Sequence, residues 1–189
     1  MYESIHLLPT KPQTRLIFRY VNSQSMKIGL LSDTHSYLHP RILTHFESCD
    51  EIWHAGDFGT LALAQTLAAA KPLRGVYGNI DGAEIRRDFP EDLIFEVGGC
   101  RILMTHIGGY PSRYVPRVRK LLELHRPHIY IAGHSHILKV MPDPTLGLLH
   151  INPGACGREG WHKVKTLVRF CIDGGKPHSL EVIELDSEE

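Results

Sequence analysis

The chain lacks an excess of charge of either sign. Lysine plus arginine and aspartate plus glutamate each total 21, and the sequence pI is near 7.2. That removes the broad electrostatic footprint of a nucleic-acid-binding or anionic-membrane-binding protein. Any anionic ligand must be held by a local site. Cysteine is sparse: Cys49, Cys100, Cys156 and Cys171 are far apart and form no C-x-x-C pair. Such spacing excludes a dense disulfide framework and suits reduced thiols in the cytoplasm. No apolar run reaches the ~18 residues that cross a bilayer. The N-terminus has no apolar core of a secretory signal. A soluble, cytoplasmic protein without a membrane partner is expected. There is also no internal repeat, no low-complexity tract and no linker that would divide the chain.

What is present is enough apolar sequence, 42% of 189 residues, for a packed core. Residues 1–25 stand apart. They mix Pro, Gln, Ser and scattered apolar residues without a sustained period. They read as a loosely attached or disordered extension, or as the product of a start codon assigned upstream of Met26. "RLIFRYV" within them has the propensity for a short extra strand. Residues 26–189 read as one domain.

"KIGLLS", "DEIWHAG" and "LRGVYG" are short buried strands. They are separated by helical stretches at "PRILTHFESC" and "TLALAQTLAAA", the second ended by Lys71-Pro72. This β-α-β-α-β order predicts a parallel sheet with right-handed crossovers. "LIFEVGGCRILMTH" reads as a hairpin around Gly98-Gly99. "SRYVPRVRKLLELH" is helical in its second half, with Pro116 near the first turn. "HIYIAG" is another buried strand, and residues 137–185 are rich in strands. The expected fold class is α/β: a two-sheet sandwich with helices on its outer faces.

Five strand ends each deliver polar residues: Asp33-Thr34-His35, Gly56-Asp57, Gly78-Asn79, Thr105-His106, and His134 with His136. The carboxyl ends of parallel strands gather at one edge, where ligands bind. Asp33, His35, Asp57, Asn79, His106, His134 and His136 can therefore converge. Residues i and i+2 on a strand share a face, so Asp33 with His35 and His134 with His136 are expected to aim in pairs. Glycines 56, 78 and 133 allow tight turns beside them. Imidazole and carboxylate donors suit Mn, Fe, Zn, Co or Ni better than Mg or Ca. Seven ligands exceed one tetrahedral site but match two ions about 3.5–4 Å apart. His134 and His136 then serve different ions.

Taken singly, each residue has a plain structural reading. Asp33 or Asp57 can cap a helix, and Asn79 can be a turn residue in "GNIDG". The order and spacing of all five motifs outweigh those readings. His54, beside Gly56-Asp57, can support a ligand but reads better as a satisfied histidine at a strand end. His39, His45, His125, His128, His150, His162 and His178 read as surface or packing residues, with His162, after "GREGW", the one that could face the cavity. Arg158 in the same loop could contact a phosphate but reads better as solvated, and Cys156 has no base partner that would make it a nucleophile. The basic "RYVPRVRK" reads as a solvated helix face.

The set "DTH", "GD", "GN", "TH" and "GHSH", in this order, resembles the calcineurin-like metallophosphoesterase superfamily. Within it, the short chain, "GNID" and "NPGACGREG" are similar to the small YfcE-type phosphodiesterases. The resemblance spans residues 26–189 and implies a four-layer α/β/β/α fold. By position, it implies a first ion on Asp33, His35 and His136, a second on Asn79, His106 and His134, and Asp57 bridging them. The implied ions are divalent transition metals, manganese foremost. The implied activity is phosphodiester hydrolysis by metal-activated hydroxide, with Asp57 and Asn79 catalytic and Asn79 steadying charge on the phosphoryl oxygens. The implied partners are a small phosphate ester and a second copy of the chain.

Two departures bear on the reaction. Many relatives place histidine directly after the Gly-Asn pair, where it can protonate the leaving group, but here Ile80 stands there. Several place histidine two residues after the equivalent of His106, but here that residue is Gly108. Proton donation is typically worth about 10²–10⁴ in rate. Weak activity on alkyl monoesters and better activity on diesters with acidic leaving groups are expected. Asp81 is expected to orient a ligand histidine. Two alternatives carry other functions. One is a non-catalytic binding module like the retromer subunit of this fold, which an apolar patch away from the site would favour. The other is a nuclease, for which the chain lacks length and a basic groove.

Overall fold

A computed structural model describes residues 25–185. The N-terminal extension, with its suggested strand at "RLIFRYV", lies outside the described residues. Strand β1 (Met26–Leu31) is followed by α1 (Arg41–Phe46), β2 (Glu51–His54), α2 (Leu61–Ala70) and β3 (Leu73–Gly75). The three strands pair in parallel, as the β-α-β-α-β order requires. Thr60 caps α2, its hydroxyl accepting from the Leu63 amide. Next come α3 (Ala83–Asp88), the hairpin β4 (Asp92–Val97) and β5 (Cys100–Thr105), and a small ribbon, β6 (Gly109–Tyr110) with β7 (Arg113–Tyr114). Helix α4 (Pro116–His125) opens with Pro116 in its first turn, where a missing amide costs nothing. The chain finishes with β8 (Ile129–Ile131), β9 (Leu138–Asp143), β10 (Leu148–Pro153), β11 (Lys165–Asp173) and β12 (Lys176–Leu185).

Two five-stranded sheets result, ordered β12-β11-β1-β2-β3 and β4-β5-β8-β10-β9. Both are mixed. The first has parallel β1, β2 and β3; the second has parallel β5, β8 and β10. They stack face to face, and strand alternation decides which side chain goes where. Ile28 and Leu30 of β1, Ile102 and Met104 of β5, and Ile129 and Ile131 of β8 point inward, where they meet Trp53 and Phe170. The alternate residues cover the outer faces. Ile52 and Leu67 pack with Phe46 beneath α1 and α2, while Leu103 and Tyr130 pack with Val118 and Leu122 of α4. Gly29 is small because the Phe46 ring lies on it; an added Cβ would sit 2.6 Å from that ring. The expected sandwich with outer helices is the observed one.

Helix α3 and the β6–β7 ribbon were not anticipated. At six and two residues they are too short to show a hydrophobic period. All four cysteines are free, and among the described residues no helix is long and apolar enough to cross a membrane.

Of the four buried histidines among the described residues, His39, His54, His106 and His150, two are stacked on aromatic rings of the core. His54 is fully enclosed and stacked on Phe58 at 3.6 Å between ring centroids. His150 stacks on Tyr130. Burial pushes their pKa values from about 6.5 down to about 3 and about 4. Both are therefore neutral when folded, whereas the unfolded chain protonates them below about pH 6.5. Stability from this source is complete above pH 6.5. It falls as pH drops, with both rings contributing down to about pH 4. The slope is at most about 1.4 kcal/mol per pH unit for each ring. Urea midpoints measured at pH 7 and pH 5 should differ more for the wild-type chain than for His150→Gln.

Candidate metal centre

The C-terminal ends of β1, β2, β3, β5 and β8 meet at one rim of the sandwich. Asp33, His35, Asp57 and Asn79 reach it from the first sheet, and His106, His134 and His136 from the second. One ligand-type atom from each of Asp33, His35 and His136 falls in a group spanning no more than 4.8 Å. Asp57, His106 and His134 form a second such group. Asn79 Oδ1 stands 3.2 Å from His106 Nε2 and so joins the second. Asp57 Oδ2 ties the two together, 3.6 Å from His35 Nε2 and 3.2 Å from His106 Nε2.

The convergence is not achieved by strand alternation. β1 stops at Leu31 and β8 at Ile131, before any of these residues. Instead Asp33, His35, Asp57, His134 and His136 all have left-handed backbone, with φ between 47° and 66°. Such conformations cost about 1–3 kcal/mol apiece and persist only where their surroundings impose them. Here the loops are laced to each other. The amides of Asp33 and His35 donate to the carbonyls of Gly56 and Asp57, and that of Gly133 donates to the His106 carbonyl. Gly157 donates to the Asp33 carbonyl, which brings in the "NPGACGREG" loop. Gly78 has no room for a side chain, because a Cβ would lie 2.0 Å from Asp57 Oδ1.

The atoms at the centre are mostly acceptors. His106 Nδ1 is 2.8 Å from the Ala55 carbonyl, which can only accept, so the ring's proton belongs on Nδ1. Its Nε2 lone pair then faces Asp57 Oδ2 at 3.2 Å, Asn79 Oδ1 at 3.2 Å and Asp33 Oδ1 at 3.9 Å. Asp33 Oδ1 and His35 Nε2 are buried without a hydrogen-bond partner among the described residues. Asp33 Oδ1 is 3.1 Å from His136 Nε2, yet the pair lacks the alignment of a hydrogen bond. Buried lone pairs aimed at one another are unfavourable unless a positive charge sits among them. The electrostatics agree. Burial opposes a charge on His106, but Asp57 and Asp33 outweigh it and raise its pKa. Contact with Asp33 raises that of His136. Burial pushes the Asp57 carboxyl up, but His106 outweighs it and lowers it. The donor set thus fits divalent transition cations on chemical grounds.

Surrounding residues fix the loops. Thr34 Oγ1 lies 2.9 Å from His54 Nε2, while His54 Nδ1 accepts from the Gly56 amide at 3.1 Å, so His54 is a satisfied histidine. Asp81 does not touch a histidine, contrary to expectation. Its buried carboxylate accepts from the amides of Gly59 and Gly78, both at 2.8 Å, and so locks the Asp57 loop to the Asn79 loop. Arg86, absent from the sequence reading, donates to the carbonyls of Gly78, Asn79 and Asp81. Asn152 Nδ2 donates to the Gly133 carbonyl and Ser135 Oγ, holding the "GHSH" loop. His162, read as surface or packing, lies edge-on to His136 with ring centroids 5.3 Å apart. It lines a hollow with His134, His136 and Trp161. Arg158 is not simply solvated, since its guanidinium lies 3.9 Å over the Tyr37 ring. Cys156 is fully buried, with its thiol pKa pushed far up by burial, and is no nucleophile.

With this geometry in place, the chain can be set beside known proteins. The calcineurin-like phosphoesterase superfamily domain matches residues 26–175, most of the chain, and the protein belongs to that superfamily. It is 28% identical over 150 residues to phosphodiesterase MJ0936 of Methanocaldococcus jannaschii, covering 69% of this chain and 84% of the relative. Vacuolar protein sorting 29 of Cryptosporidium parvum has the same fold, with a TM-score of 0.66 and 16% identity over 86% of this chain and 99% of that one. So does a conserved protein of Streptococcus pneumoniae described as a predicted phosphoesterase, with a TM-score of 0.61, 19% identity and the same coverage. The superfamily is dinuclear and metal-dependent, and the two Asp/His groups match that requirement in number and kind.

Gly108 has a steric reason. A Cβ there would lie 1.7 Å from Tyr130 Oη, a buried hydroxyl without a partner among the described residues. Gly108→Ala should therefore destabilise the protein by about 1–3 kcal/mol through overpacking. Tyr130→Phe should be neutral or stabilising, since removing an unpaired buried hydroxyl relieves a desolvation cost of about 1–3 kcal/mol. Chemical denaturation of both variants and the double variant should show Tyr130→Phe recovering part of the Gly108→Ala loss.

Proposed function

We propose that the protein is a dinuclear metal-dependent phosphodiesterase that hydrolyses diesters with good leaving groups. The carrying observation is the pair of Asp/His groups joined through Asp57, with Asp33 Oδ1 and His35 Nε2 buried and unpartnered among the described residues. We assign Asp33, His35 and His136 to one ion, Asn79, His106 and His134 to the other, and Asp57 to both. Manganese is the proposed metal, with iron, zinc, nickel or cobalt able to use the same donors. When bound, two such ions make water available as a nucleophile near neutral pH and offset charge on the phosphoryl oxygens.

The remaining roles belong to the chain. The Ala55 carbonyl holds His106 in the tautomer whose Nε2 faces inward. Arg86 and the Asp81 carboxylate hold the loop that presents Asn79. The Asn79 amide brings the N–H donors suited to a developing phosphoryl charge. Beyond it, a hollow of about 210 Å³ is bordered by Tyr77, Arg86, Thr105, Ile107 and Arg117. Ile80, next to Asn79, is 46% exposed, and its side chain can donate no proton. Tyr130 excludes a side chain at position 108. A missing general acid favours ester arms that leave as stable anions, as in activated diesters.

Residues 26–189 are proposed to act as one domain in the cytoplasm on a small phosphate ester, with assembly of two or more copies compatible. The alternative is a non-catalytic binding module. Trp161 is fully exposed and Ile137 is 61% exposed, but both flank the cage beside His134 and His136, so neither supplies the apolar patch away from the site that this reading calls for. The complete set of donors favours the enzyme.

In manganese, hydrolysis of an aryl phosphodiester should be lost on chelation and in Asp57→Ala, with two ions per wild-type chain by elemental analysis. Metal-loaded protein without turnover would favour the binding module. Ile80→His should raise kcat/KM for an alkyl phosphomonoester by about 10²-fold, the lower end of a proton donor's usual contribution. An unchanged monoester rate would remove the missing-acid explanation.

A further inference from the structure

A second cleft, of about 310 Å³, opens beside His134 on the side away from His162. The β6–β7 ribbon and the start of β9 form its sides. Ile107, Val115 and Ile137 give it apolar walls, with the Tyr110 ring beside them. Two features make it more than a hydrophobic slot. Lys139 places its ammonium 3.4 Å from the centroid of the Tyr110 ring, and no carboxylate among the described residues forms an ion pair with it. His150, 1% exposed, also lines the cleft, and its Nδ1 is buried without a hydrogen-bond partner among the described residues. A buried polar atom without a partner is uncommon, and a ligand atom is one way to satisfy it. The Lys139 charge reaches His150 as well, adding to burial in keeping that ring neutral.

We propose that this cleft is the subsite for one ester arm of the substrate, that it selects an aromatic ring bearing an anionic substituent, and that Lys139 is its specificity-determining residue. The inference rests on the phosphoester reading above. A flat ring fits among the aliphatic side chains with the edge of the Tyr110 ring beside it, since the Lys139 ammonium lies over the face of that ring; edge-to-face contact and apolar burial hold it. An acidic substituent meets the ammonium of Lys139, and the neutral His150 ring can donate to it from Nδ1. A plain alkyl arm forgoes the aromatic contact, and a plain aryl arm leaves Lys139 and His150 unused.

Calorimetric binding of 4-carboxybenzylphosphonate and benzylphosphonate to the manganese-supplemented full chain tests this, because neither ligand has an ester to hydrolyse. The carboxylated ligand should bind at least tenfold more tightly. Lys139→Met should cut that advantage to under threefold while changing benzylphosphonate affinity by less than threefold. Tyr110→Ala should weaken both ligands. Equal affinities in the wild-type chain, or an advantage that survives Lys139→Met in a folded variant, would overturn the proposal. Repeating the titrations with chelator separates the two readings. Binding that ignores chelation while keeping the tenfold ratio counts against the metal centre and for the cleft; a ratio lost in the presence of metal counts against the cleft alone.

Discussion

Crowding of buried acceptors at one rim governs this protein. Asp33, His35, Asp57 and His106 bring carboxylate oxygens and imidazole nitrogens together where few protons are available to separate them. Placed in isolation, such a group of atoms would disperse. It is kept together by backbone in conformations that non-glycine residues avoid, and those are in turn imposed by hydrogen bonds between loops. The interior of the sandwich supplies the stability that offsets this local cost. A site of this kind is preorganised: its geometry exists before any ligand arrives, so little has to be rearranged on binding.

Much of this was legible in the sequence, for a definite reason. Parallel strands put their C-terminal ends on one edge, so residues following "KIGLLS", "DEIWHAG", "LRGVYG" and "HIYIAG" had to be neighbours whatever the details. The route to their convergence was not legible. Alternation along a strand looked sufficient for Asp33 with His35 and for His134 with His136, yet these pairs lie past the strand ends, and left-handed turns aim them. Propensity gives no warning of five such residues, because long-range contacts select them. The same holds for Asp81. A carboxylate beside Asn79 invites pairing with a histidine, whereas its partners are the amides of Gly59 and Gly78, one of them 22 residues away. His162 reads more readily as a packing residue than as one facing the cavity, because its link to His136 is made only in three dimensions.

The departures from the superfamily pattern have different characters. Ile80 sits in open space beside the site, so its identity is a chemical choice that a single change can reverse. Gly108 is a packing choice. The Tyr130 hydroxyl fills the volume a side chain would take, and Tyr130 belongs to the core beneath α4. Chemistry at position 108 is therefore coupled to the packing of the second sheet, while chemistry at position 80 is free of it.

The two layers contribute unequally to the rim: four of the polar groups follow strands of the first sheet and three follow strands of the second. Elsewhere the layers meet through closely packed apolar side chains, whose attraction has no preferred direction. At the rim the contact is ionic and directional, and a shift of an ångström would put it out of register. The rim thus acts as a clasp between the two plates, and any cation it grips doubles as a rivet. Loss of that rivet would loosen the seam at this edge first, while the opposite edge stayed closed.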